Sequence, residues 1–308
     1  MGEGGDAVAA ARRAREVTGT ALTKHVEQLL AWLGESVWRP VLDHWPDLRR
    51  RRLAVVPLGE MAQLPLYTAL VDDEPVCAML DVTVAPSARS LVLAGEHPIA
   101  TGSAFVAADP ATGEDELPYV VDEAHAVAAV HGVPAVIVRD ASGPPADDRM
   151  RATPDTMPQL ATVPGDMLRQ IRASATVHLA CHGLIRPSAP LDSALLLGGS
   201  LTVATMLTED LLPGMTMVLS ACDLAGIGKQ TPGEQLGFPA VLLAAGARSV
   251  VAALWPVPDT SRTVRLMTHL HEERTAAPTA RALGSAIARS RDSGAPASLW
   301  ASFTYFGA

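Results

Sequence analysis

A largely parallel β-sheet with helices on both faces is the architecture this sequence predicts. Three observations lead there. From about residue 52 onward, short uncharged apolar runs alternate with segments of helical periodicity. The runs are continuously apolar rather than alternating, as strands buried on both faces require. The chain has 308 residues, 48% of them hydrophobic, which is enough to bury a large core. In chain order, residues 7–34 read as a helix, with Leu22, Val26, Leu29, Leu30 and Leu33 at helical spacing and Gly34 as its stop. It covers the sheet or docks a partner, since the same pattern serves both. Strands follow at Leu53–Val56, Val82–Val84, Ala104–Ala107 and Ala135–Val138, with a helix over Asp122–Val130. The stretch Asp140–Asp155 is rich in Pro, Asp, Gly and Ser and reads as an exposed loop. A helix over 164–173 leads into a strand ending at Cys181, and a second apolar run, Met217–Leu219, ends near Cys222. A polar loop (224–233), a helix (234–245), a strand (249–254) and two helices (260–273 and 279–292) complete the reading. The division expected is an N-terminal helical segment, 1–35, and one domain, 36–308.

Bulk composition narrows the function. The formal net charge of −9 argues against nucleic acid or an anionic membrane as a direct partner. Three cysteines, Cys77, Cys181 and Cys222, are too few and too odd in number for a disulfide framework, so a reducing cytoplasm is expected. Met1–Asp6 has no basic region leading into an apolar one, so no signal peptide is expected. The most apolar window, Val241–Trp255, is too short to span a bilayer and contains Arg248.

The chemistry concentrates at two strand ends. Val177-His178-Leu179-Ala180-Cys181 is followed by His182-Gly183, and Met217-Val218-Leu219-Ser220-Ala221 by Cys222-Asp223. In parallel sheets functional groups collect at the carboxyl ends of strands. If these two runs are neighbours, an imidazole and a thiol meet at one sheet edge. The imidazole can take the thiol proton and return it to a leaving amine. The oxyanion formed on attack needs backbone donors, for which the N–H groups of Gly183 and Cys222 are the candidates. Glycine at 183 lets an amide approach the substrate closely.

His182-Gly183 followed by Ser220-Ala221-Cys222 resembles the His-Gly and Ala-Cys dyad of caspase-like (clan CD) cysteine peptidases. Further segments resemble one branch, the CHAT-domain family. They are Val56-Pro57-Leu58-Gly59, Pro86-Ser87, the stretch Gly233–Pro239, Leu243-Ala244-Ala245-Gly246-Ala247-Arg248-Ser249-Val250 and Leu254-Trp255-Pro256-Val257-Pro258-Asp259. The resemblance covers roughly residues 36–308 and rests on the segments in order. It implies a three-layer caspase-like α/β/α sandwich with peptidase activity, His182 as general acid/base and Cys222 as nucleophile. It also implies a bacterial defence or signalling setting, with a protein substrate and a sensor or activator protein. The chain departs from many family members in lacking tetratricopeptide repeats. It also lacks the Gln-Ala-Cys-Arg-Gly string of animal caspases, so aspartate specificity does not transfer.

Other residues carry less. Cys181 neighbours His182 on a strand and so points to the opposite face, which makes it a core residue. Cys77 has no chemical company. His178 and His182 stand roughly 13 Å apart along a strand, too far to share a metal, so no metal is expected and His178 reads as a satisfied core histidine. The remaining histidines, His131 and His271 among them, read as ordinary surface or partly buried residues. Asp223, Glu234 and Asp259 are carboxylates that orient His182 or line a pocket for a basic side chain. Asp259 equally suits the N-cap region of the helix after it, and Glu234 the first turn of its own. Gly226-Ile227-Gly228 is neither a phosphate loop nor a dinucleotide fingerprint, and no cofactor follows from the sequence. The runner-up function is a peptide-binding scaffold of the same fold that does not cut, and a weaker one is a thiol acyltransferase or non-peptide hydrolase. Segments 140–163 and 224–233 are candidates for ordering on activation.

Overall fold

The computed structural model describes residues 20–111, 116–138, 164–186, 188–221 and 237–308. The first helix, α1 (Thr20–Leu33), turns Val26, Leu29, Leu30 and Leu33 into the core, as their spacing predicts. The expected stop at Gly34 is not there. The chain passes through a π-helical turn, Gly34–Trp38, into α2 (Arg39–His44), so residues 35 and 36 lie within a continuous helical run. Gly34 has a different purpose. A Cβ on it would lie 1.6 Å from the Leu70 carbonyl oxygen, so glycine is what lets the backbone of Leu70 cross the helix in contact. Trp38 fixes the crossing, donating from Nε1 to the Leu66 carbonyl at 2.9 Å.

β1 (Arg52–Val55) follows, then a small hairpin of β2 (Leu70–Val71) and β3 (Glu74–Pro75), a turn of helix α3 (Val76–Met79), and β4 (Asp81–Val84). α4 (Ala88–Glu96) is a helix the sequence reading left out. Ser87, of the Pro86-Ser87 step, caps it: its Oγ accepts the Ser90 N–H at 3.0 Å while Ser90 Oγ accepts the Ser87 N–H at 3.0 Å. β5 (Ala104–Ala108), α5 (Pro118–His131), β6 (Ala135–Ile137), α6 (Gly165–Ala173) and β7 (Thr176–Ala180) come next. A short antiparallel sheet then branches off. It comprises β8 (His182–Leu184), β9 (Ala194–Leu196) and β10 (Ser200–Thr202), followed by α7 (Val203–Leu207). The remaining elements are β11 (Thr216–Ser220), α8 (Phe238–Ala244), β12 (Ser249–Ala253), α9 (Ser261–Arg274), α10 (Thr279–Asp292), α11 (Ala297–Trp300) and β13 (Phe303–Gly307).

The main sheet has the order β1-β4-β13-β12-β11-β7-β5-β6. β12, β11, β7, β5 and β6 are mutually parallel, β1 is parallel to β4, and β13 runs antiparallel to β12. Every residue of β11, β12 and β13 is buried, which is why β11 and β12 read as apolar runs, whereas β13 is a strand beyond those read from the sequence. α9 packs against α5 and α10, whereas α8 packs against α4 and α7. These two helix groups form the outer layers of the sandwich. Two of the segments that carry the resemblance are structural fasteners. Trp255 Nε1 donates to the Ser298 carbonyl at 2.8 Å, and Arg248 Nη1 reaches the carbonyls of Ala94, Gly95 and His97 at the end of α4.

Candidate active site

The two apolar runs are neighbouring parallel strands. β7 pairs with β11 from Thr176 opposite Thr216 to Ala180 opposite Ser220, and the Cys181 N–H adds a 3.3 Å bond to the Ser220 carbonyl. His182 stands two residues past Ala180, at the point where the chain leaves the main sheet to begin β8. It is half-buried, with Leu196 as its partner in β9. Gly183 pairs with Leu195. On the neighbouring strand Ala221 is buried and is the last described residue. Cys222, Asp223 and Glu234 lie outside the described residues, as do the 140–163 and 224–233 stretches.

Cys181 is 2% exposed and Cys77 4%, and both belong to the core. Burial pushes the Cys77 thiol far above its usual range, so it is no nucleophile. Among the described residues no group of three or more His, Cys, Asp or Glu is disposed to hold a metal ion. No described helix is long and apolar enough to cross a membrane.

Asp259 does not cap the helix that follows it. α9 begins after Thr260, without a side-chain cap. Instead Asp259 Oδ2 accepts the Tyr119 N–H at 3.0 Å, in the first turn of α5, where an unpaired amide and the positive end of the helix favour a carboxylate. Burial pushes the Asp259 carboxyl up and the Tyr119 N–H pulls it back. Glu123 and Asp122 push it up further, whereas His182 lowers it. Asp259 therefore lies in the electrostatic neighbourhood of His182.

Asp109, absent from the sequence reading, braces the same corner. It is fully buried at the end of β5, where its N–H bonds the Ala180 carbonyl at 3.0 Å. Its Oδ1 accepts the Ala111 N–H at 3.0 Å, and its Oδ2 the Gly198 N–H at 2.6 Å. Gly198 lies in the turn joining β9 to β10, and β9 pairs with His182. One carboxylate thus ties the main sheet to the β9–β10 hairpin, against which the histidine's strand pairs.

His178 is a core histidine, as read, but it is not isolated. Its Nε2 bonds Glu123 Oε1 at 3.0 Å and its Nδ1 meets His271 Nε2 at 3.1 Å. His271 Nδ1 in turn meets His131 Nε2 at 2.9 Å. His178 and His271 are wholly buried and Glu123 is 2% exposed, so His271 is not the ordinary surface or partly buried residue expected. One order satisfies every inner ring nitrogen with neutral imidazoles. His131 donates to His271, His271 donates to His178, and His178 donates to Glu123. Burial holds His271 well below the usual imidazole value of 6.5, and His178, Arg274 and His131 lower it further. Burial, Arg274 and His178 also lower His131. Arg274 itself is pushed down to about 10 by burial. Both imidazoles therefore bind protons more readily in the unfolded chain than in the folded one. Their contribution to stability is complete above about pH 6.5 and is lost as pH falls below it. Melting temperatures recorded from pH 8 to 5 are expected to decline below about pH 6.5. The decline should be shallower in His271→Leu, which also melts lower at pH 8. Parallel declines in the two proteins would show that these rings do not set the acid limb.

A mostly parallel sheet between two helix layers, with His182 just past the end of β7 and the run that leads to Cys222 on neighbouring β11, is a three-layer, caspase-like α/β sandwich. The CHAT-domain family model matches residues 27–308, and the chain belongs to that family. Two structures of Saccharomyces cerevisiae separase in complex with securin share the fold at 12% identity, with TM-scores of 0.50 and 0.52. Each match covers 83% of this chain but just 15% and 16% of the matched chains, so this protein corresponds to a small part of their length. No curated protein matches the chain.

Proposed function

We propose that the protein is a cysteine endopeptidase that cleaves a partner protein in the cytoplasm, in a bacterial defence or signalling system and under the control of an activator. The carrying observation is the register of β7 on β11. Ser220 lies opposite Ala180, so Cys222 and His182 follow the last paired step by the same two residues. Adjacent strands stand about 4.8 Å apart, which is side-chain reach for a thiol and an imidazole.

In this reading the Cys222 sulfur attacks the scissile carbonyl carbon, and the thiol proton passes to His182. The backbone N–H groups of Gly183 and Cys222 hold the oxyanion. Collapse breaks the C–N bond, and His182 delivers the proton to the leaving amine. Water, deprotonated by His182, then cleaves the thioester and restores the thiol. Asp259 suits the part of orienting carboxylate because its charge and that of His182 act on one another. Asp223 and Glu234 are assigned to the pocket by their nearness to Cys222 in sequence. Ordering of 140–163 or 224–233 by the activator would complete the site.

Trapping tests the nucleophile without knowledge of the substrate. A peptidyl electrophile added to the whole chain is expected to modify Cys222 selectively, as mapped by mass spectrometry, and not Cys181 or Cys77. Absence of selective labelling at Cys222, with or without candidate activators, would favour a peptide-binding scaffold.

A further inference from the structure

Arg49 to Arg52 is an unbroken run of four arginines in a chain of net negative charge. A solvated face is the ordinary fate of such a run. Here it stands instead at a cavity of about 490 Å³, where Arg49, Arg51 and Arg52 are joined by Arg281 from the first turn of α10. Asp81 is the one acidic residue in the lining, and its contacts are loose: 3.8 Å to Arg52 Nε and 3.4 Å to Arg281 Nε. Among the described residues none of the four guanidinium groups makes a shorter polar contact, and all four are exposed. Four positive charges therefore face one negative charge, with most of their N–H donors available. Ala78, Met79, Leu80 and Ala288 supply the apolar part of the lining. The walls are fixed. A Cβ on Gly284 would lie 2.1 Å from the Cys77 carbonyl oxygen, so α10 and α3 touch backbone to backbone.

The cavity lies away from the His182 end of β7. Arg274 bonds both Thr176, at the start of β7, and Thr279, at the start of α10. Arg281 is two residues further on.

We propose that this cavity is a binding site for a small phosphate-bearing molecule of nucleotide size. Planar guanidinium forks match phosphate oxygens in pairs, and their weak hydration lowers the cost of leaving water. The volume falls within the range of small-ligand sites and is too small for a folded partner. The apolar part of the lining suits a base or another flat, uncharged portion of the ligand.

The test is calorimetric titration of the full chain with inorganic phosphate, pyrophosphate, a nucleoside triphosphate and a hexaglutamate peptide. Binding is read without turnover, so its outcome is separate from that of the peptidase assignment. Pyrophosphate and the triphosphate are expected to bind, the triphosphate more tightly. Affinity should fall roughly tenfold or more in Arg281→Gln and in the double variant Arg51→Gln/Arg52→Gln. Arg289→Gln, an exposed charge elsewhere on α10, should leave it unchanged. Thermal melts confirm that each variant is folded. No binding of any phosphate compound, or binding that survives both sets of substitutions, overturns the site. An equal loss in Arg289→Gln shows general charge attraction and overturns it too. Tighter binding of hexaglutamate than of the triphosphate overturns it in favour of an acidic protein segment.

Discussion

Cys222→Ala and His182→Ala are each expected to lower cleavage of the authentic substrate at least roughly 10³-fold while the protein stays folded. In the proposed mechanism no acyl-enzyme forms without the sulfur. Without the imidazole, both the proton taken from the thiol and the one delivered to the leaving amine have no carrier. His182 is half-buried at a sheet edge rather than in the core, so its truncation should cost little stability. The informative control is Cys181→Ala, one residue before the histidine. Cys181 is buried and its backbone N–H holds the Ser220 carbonyl, a bond the substitution keeps. Cleavage should persist in that variant. Wild-type cleavage by Cys222→Ala would remove the assigned nucleophile, and loss in Cys181→Ala alone would move it to the neighbouring position.

The largest expected effect on stability comes from Glu123→Ala. The change removes the terminal acceptor of the histidine chain and leaves the His178 Nε2–H sealed from water. Leaving a buried donor without its acceptor costs about 1–3 kcal/mol. In a chain of this size that corresponds to a fall in melting temperature of a few degrees. Glu123→Gln should recover part of the loss because its amide oxygen still accepts. A fall of no more than about 1 °C in Glu123→Ala would mean that the network contributes nothing net.

Much of this arrangement can be read from residue order, and the parts that cannot have physical reasons. Apart from β13, the strands of the main sheet were legible because burial on both faces demands unbroken apolar runs, and helical periodicity marked α1, α5, α9 and α10; β13, interrupted by Thr304, was not read as a strand. That spacing also placed Glu123 with Val120, Ala124 and Val127, and His271 with Met267 and Leu270. Their burial was therefore available to a reader who trusted periodicity over residue type. What periodicity does not give is the partner across elements, so the Glu123–His178–His271–His131 chain appears in three dimensions alone. Asp109 was hidden for the same reason: its ligands are backbone amides 2 and 89 positions away. Strands of three residues, such as β8 and β9, carry too little pattern to announce themselves. Gly34 was misread because glycine serves both as a helix stop and as a place for another backbone to cross. Asp259 caps a helix remote in sequence, which local capping rules do not reveal.

β13 has a consequence for how the molecule is made. It is the last described strand in sequence, yet it sits third in the sheet, antiparallel to β12 and joined to β4 at the Phe306–Val84 pair. During synthesis the block containing β1 and β4 gains its strand contact with the rest of the main sheet once Phe306 has been made, although α10 packs on β4 and α3 from earlier in the sequence. Assembly of the full sheet therefore awaits the end of translation of this region, and it depends on contacts between residues far apart in sequence, a slow route to the native state. Before β13 is in place, β4 and β12 each present an unpaired sheet edge. A product stopped short of Phe303 would be two half-sheets with no strand to join them.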